Sequence, residues 1–141
     1  MKSIFLAGLL GVAFYAGPAD AARVQYHAVL SGAAEVPANT TTGGGELFAT
    51  LDTNTKQLSY TLSFAGLTGK AAAAHFHGPA AATANAGVAL PITGNLAEPV
   101  HATATLTNAQ MQDLMAGKWY VNVHTEANKG GEIRGQLIRQ R

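Results

Sequence analysis

Three histidines carry the most specific chemical signal in this chain. His75-Phe76-His77-Gly78-Pro79 sets two imidazoles one residue apart, and on an extended strand such residues point to the same face. A third histidine arrives much later, in Asn122-Val123-His124-Thr125. If the two segments lie on neighbouring strands, three nitrogens converge and leave a coordination position open, an arrangement that suits a reactive metal better than a purely structural one. An all-imidazole set without thiolate suits Cu(II) or Zn(II), and the order of divalent affinities puts copper first and zinc second.

Period-two alternation sorts the flanking residues. Trp119, Val121 and Val123 fall on one face and Tyr120, Asn122 and His124 on the other, while Phe76 turns inward and His75 and His77 outward. Near the end of the chain, Ile133 and Leu137 alternate with Glu132, Arg134 and Gln136. The six residues Thr125 to Gly130 are a hairpin-sized connection to the His124 strand. Glu132, Arg134 and Asn122 are therefore expected around the ligands, orienting an imidazole or steering an anion; a structural salt bridge of Glu132 or Arg134 with other residues is the competing reading. His101, before the alternating Thr103 and Thr105, and His27 are additional candidate ligands. The bland reading of each is a solvated histidine on a polar strand face.

The elements that must position these groups read as short strands. The chain has 141 residues, 16 of them glycine, and the segments between glycines alternate and carry Val, Leu, Phe, Tyr and Thr. Strands are expected over 24–30, 45–52, 57–64, 73–77, 88–91, 100–105, 118–124 and 132–138. This predicts an all-β, antiparallel sandwich or barrel of Greek-key type with about eight strands. Asp52-Thr53-Asn54-Thr55 supplies a hairpin loop between two of them. One segment is helical: Met111, Leu114 and Met115 follow Thr107-Asn108 at helical spacing, Gly117 stops the run, and the apolar side chains should cap one end of the core. Gly43-Gly44-Gly45 lacks the lysine and helix start of a phosphate cradle.

Bulk composition narrows the function further. Lys2, the apolar run from Ile4 to Ala16 and the small residues Ala19 and Ala21 follow the order of a secretory leader, with cleavage expected after Ala21. That run falls short of the roughly 20 residues a spanning helix needs, so the processed chain is expected to have no membrane span and to be periplasmic or secreted. Residues 22–141 are then a single domain. Cysteine is absent, which excludes disulfides, thiolate ligation and thiol catalysis. Charged residues are only 12% of the chain, the net charge is +1, and lysines and arginines are scattered, so nucleic acid is not the expected partner. Ser31, Ser59 and Ser63 lack a nucleophile elbow, which argues against a hydrolase.

Three blocks also resemble a known family. Leu30-Ser31-Gly32-Ala33-Ala34-Glu35-Val36-Pro37, Ala74-His75-Phe76-His77-Gly78-Pro79, and Tyr120 to Thr125 with Gly130 to Leu137 are similar, in order and spacing, to the CHRD domain, a module named from chordin and widespread in exported bacterial proteins. The resemblance implies a β-sandwich or barrel similar to copper/zinc superoxide dismutase, whose copper ligands also include a His-x-His pair and a late-strand histidine. His75, His77 and His124 match those roles. The sequence departs from the dismutase in lacking its cysteines and a histidine and aspartate cluster between His77 and His101 for a separate zinc site. Copper handling or redox chemistry by an exported domain is thus the expectation, with superoxide chemistry not favoured. The rival expectation is a metal-free extracellular module that binds a protein partner, and exposed sheet edges also allow a homodimer.

Overall fold

The computed structural model describes residues 22–141; the expected leader, 1–21, lies outside the described residues. Nine strands form one antiparallel sheet: β1 (Arg23–Ser31), β2 (Gly44–Asp52), β3 (Gln57–Ala65), β4 (Ala71–His77), β5 (Val88–Pro91), β6 (Val100–Thr105), β7 (Tyr120–Thr125), β8 (Ile133–Gln136) and β9 (Ile138–Arg139). Their order is β5-β4-β7-β8-β1-β2-β3-β6, with β9 also on β1. The sheet curls on itself as a half-barrel. Tyr60 of β3 meets Phe76 of β4 edge to face at 5.0 Å, although these strands stand near opposite ends of the sheet order.

Alternation explains the core. Val24, Tyr26, Ala28 and Leu30 of β1, Leu47, Ala49 and Leu51 of β2, and Leu58, Tyr60 and Leu62 of β3 point inward and join Phe76, Trp119, Val121, Val123 and Ile133 in one buried cluster. Helix α1 (Asn108–Met115) begins where Thr107 and Gln110 form a reciprocal capping box and ends before Gly117, whose φ of 73° suits glycine. Leu114 is fully buried and Met111 packs on the core, but Met115 is exposed, so only part of the expected cap reaches the interior.

The expected last strand, 132–138, divides in two. Leu137 breaks the ladder because its N–H bonds to the Trp119 carbonyl and its side chain is fully buried; β9 then pairs with β1 rather than β7. A second departure concerns the polar face of β7. Alternation alone leaves that face to solvent, yet Tyr120, Asn122 and Arg134 are all buried. The segment between β4 and β5 folds over it: Ala80, Ala81, Ala84 and Ala86 offer backbone oxygens to Gln136, Arg134, His77 and Tyr120.

Candidate metal centre

Pairing of β4 with β7 brings the three histidines together. Asn122 lies directly opposite His75, and His124 lies opposite Ala73, so His124 is the diagonal neighbour of His75. Ring centroids are 4.9 Å apart for His75 and His124, 5.5 Å for His75 and His77, and 6.3 Å for His77 and His124. One ligand-type nitrogen from each ring lies within 4.8 Å of the others, and among the described residues this is the one such cluster of potential metal-binding side chains.

Each ring is held by a particular nitrogen. His124 Nδ1 lies 2.8 Å from the Lys129 carbonyl and His77 Nδ1 lies 3.0 Å from the Ala86 carbonyl. A carbonyl only accepts, so each Nδ1 carries a proton, which leaves Nε2 as the nitrogen that would face a metal. His75 Nδ1 lies 3.1 Å from His124 Nε2. Burial, then the neighbouring charge of His124 and His77, pushes the His75 imidazole below its ordinary range. Burial also lowers His124, against the Lys129 carbonyl, which raises it. Both rings are therefore held neutral at pH 7, the state in which imidazole can bind a metal ion.

The flanking residues divide. Asn122 Oδ1 lies 3.0 Å from His77 Nε2. Arg134 reaches the rings only through Tyr120: its guanidinium sits 3.5 Å from the Tyr120 ring centre, and that ring lies parallel to His77 with centroids 4.9 Å apart. Glu132 does not face an imidazole. Its Oε1 accepts from Thr41 Oγ1 (2.6 Å) and the Thr68 N–H (2.8 Å), and its Oε2 from Thr68 Oγ1 (2.7 Å) and Thr125 Oγ1 (2.6 Å). Glu132 therefore ties loops together, and among the described residues neither it nor Arg134 forms a salt bridge.

The additional candidates lie elsewhere. His27 on β1 stacks on Phe48 at 4.5 Å and faces Glu46, while His101 on β6 meets Thr61 Oγ1 at 2.9 Å. Neither joins the cluster, which is built from β4 and β7 alone. Among the described residues no helix is long and apolar enough to cross a membrane.

A profile of the CHRD domain family matches residues 26–137. The chain belongs to the CHRD domain family. No curated protein and no solved structure matches it.

This CHRD domain also contains a group beside Asn122 that sequence reasoning did not assign. Glu35, just after the 3-10 turn Gly32–Ala34, is 7% exposed, and its Oε1 has no hydrogen-bond partner. Burial pushes its carboxyl up, against the Arg134 charge, the Asn122 amide and the Val36 N–H, which pull it down. The available signal was a lone acid in the otherwise uncharged stretch from Val24 to Gly45 that carries part of the family resemblance. Tyr120, placed on the outer face by alternation, is the other: its stacking on His77 depends on the β4–β7 register, which alternation does not supply.

Proposed function

We propose that this CHRD domain is an exported copper-binding protein that holds one ion on His75, His77 and His124 and serves copper handling or redox chemistry. The observation that carries this reading is the convergence of three imidazoles from two strands far apart in sequence. The donor set fits a borderline cation: the 3.1 Å between His75 Nδ1 and His124 Nε2 leaves room for an ion roughly 2 Å from each. The ligand nitrogens lie within 4.8 Å of one another, wider than two such bonds span, so a ring would turn inward by about 1–2 Å to share one ion.

Copper bound there would supply one-electron chemistry. The chain's own contribution is to keep two rings neutral and three rings oriented. The Lys129 and Ala86 carbonyls fix His124 and His77 through Nδ1, and the Tyr120 ring covers one face of His77. The leader motif supports export, and a mature N-terminus at Ala22, found by mass spectrometry of the exported protein, would bear it out.

Calorimetric titration of the tag-free mature chain with Cu(II) and Zn(II) tests the site. One copper per chain is expected, bound more tightly than zinc, with a loss of at least about 100-fold in His75→Ala and in His124→Ala. Equal uptake by wild type and both variants eliminates the site. Tighter zinc than copper binding keeps the site and removes the redox role.

A further inference from the structure

His77 has a lone-pair conflict. A neutral imidazole carries one N–H, yet both nitrogens of His77 face oxygen: Nδ1 is 3.0 Å from the Ala86 carbonyl and Nε2 is 3.0 Å from Asn122 Oδ1. The Asn122 amide is not free to turn and resolve this. Its Nδ2 shares a niche over Gly131 with the Glu35 carboxylate. A Cβ built on Gly131 would lie 2.6 Å from Asn122 Nδ2 and would collide with Glu35 Oε1, and Gly131 has a φ of 127°. A carboxylate accepts, so the amide N–H side faces Glu35 and the amide oxygen is left toward His77. With a single ring proton, one of the two contacts is acceptor against acceptor; a metal ion shared by Nε2 and Asn122 Oδ1 removes that clash, as a second ring proton also would.

We propose that Asn122 Oδ1 is a fourth donor to the ion held by His75, His77 and His124, and that Glu35 is the positioning residue that turns it there. This rests on the three-histidine reading and deepens it. Position supports Asn122 over Ala86 as the donor. Asn122 stands directly across from His75 and two residues before His124, so its side chain leaves the sheet among the three rings. Ala86 belongs to the covering loop, where its carbonyl holds His77 Nδ1 as the Lys129 carbonyl holds His124 Nδ1. Glu35 is itself 7% exposed and shares the niche over Gly131 with the Asn122 amide, which is where a positioning residue must stand.

The consequence is a change of role. Three nitrogens with an open position admit a small reactant, whereas three nitrogens and a protein oxygen close the coordination shell. A closed shell favours binding and transfer of copper over turnover at it.

Copper affinity and electron paramagnetic resonance in 17O-enriched water test the assignment. Asn122→Ala is expected to weaken Cu(II) about tenfold and to introduce 17O coupling from a bound water that the wild type lacks. Glu35→Gln is expected to weaken Cu(II) severalfold, because the freed amide no longer holds its oxygen inward. Should Asn122→Ala fail to fold, Asn122→Asp carries the test: a carboxylate oxygen in the same place is expected to tighten Cu(II) about tenfold. Unchanged affinity in the Asn122 variants, or the same 17O coupling in wild type and Asn122→Ala, overturns the fourth donor while His75→Ala still abolishes binding and the three-histidine reading stands. A 15N spectrum in which both His77 nitrogens stay protonated after copper is added also overturns it. Copper uptake that is equal in wild type and His75→Ala removes the reading and the fourth donor together.

Discussion

Two buried carboxylates stand over the same sheet, and their surroundings are opposite. Glu132 is fully buried and accepts four hydrogen bonds, from three threonines on two loops and β7. Glu35 is nearly as buried, yet its Oε1 has no partner. The physical chemistry follows the difference: burial pushes both carboxyls up, but at Glu132 the threonine donors together outweigh it and hold the group down to about 2, whereas at Glu35 burial prevails. A saturated buried charge is a structural tie. An undersatisfied one costs stability and persists where the fold uses it for something else.

The sharpest way to break this contrast is to remove the saturated member. Glu132→Ala orphans Thr41, Thr68 and Thr125 donors at once and is expected to destabilise the fold by about 3 kcal/mol or more in urea titration. Glu132→Gln should cost about half as much. The threonine hydroxyls can rotate to accept from an amide, and Oε1 can still serve the Thr68 N–H. The charge also predicts a pH signature. Because the folded value near 2 lies below the ordinary 4.5, the unfolded chain binds more protons between them. Stability from Glu132 is therefore complete above about pH 4.5, falls as pH drops toward 2, and amounts to about 3 kcal/mol. Acid titration of Glu132→Gln should lack that slope. A wild-type slope in the variant would show that Glu132 is not the tie.

Glu35 sharpens the comparison with the opposite sign and a smaller effect. Its folded value is raised, so the native chain holds the proton longer than the unfolded chain does. Whatever stability the protonated form contributes is present below the ordinary carboxylate range and is lost as pH rises through the folded value. Glu35→Gln is expected to leave stability at pH 7 unchanged or raise it by about 1 kcal/mol, since it removes an undersatisfied charge while keeping the shape. A loss of 2 kcal/mol or more at pH 7, by urea titration of the metal-free protein, would place Glu35 with Glu132 as a structural tie and sink the contrast.

What was legible in the sequence follows from how each contact is encoded. Alternation put His75 and His77 on one face with Phe76 inward, because a strand repeats every two residues and needs no knowledge of its neighbours. The helix was legible because Thr107, the spacing of Met111, Leu114 and Met115, and Gly117 act locally. The Glu132 tie was not, since Thr41 and Thr68 lie on irregular loops whose convergence on β7 has no period to read. Nor was the burial of Tyr120, Asn122 and Arg134: their alternation matches a solvated face, and only the chain between β4 and β5 crossing over it makes that face interior. Glu35 belonged to a recognisable block, but its chemistry arises from Asn122 and Gly131, both far along the chain.

The smallest expected effect concerns the remaining histidines. His27 and His101 lie in one cross-strand row of the outer face, His27 opposite Phe48, Phe48 opposite Thr61 and Thr61 opposite His101. His101 borders an open groove there with Phe48 and Thr61. Two imidazoles separated by two intervening strands lie roughly 14 Å apart at the usual strand spacing, too far to share one ion. The combined variant His27→Gln and His101→Gln should therefore bind Cu(II) at the first equivalent with less than about twofold change in affinity. A drop as large as that of His75→Ala would mean that copper binds the outer face of β1, β2, β3 and β6, and it would detach both Asn122 and Glu35 from any role in holding it.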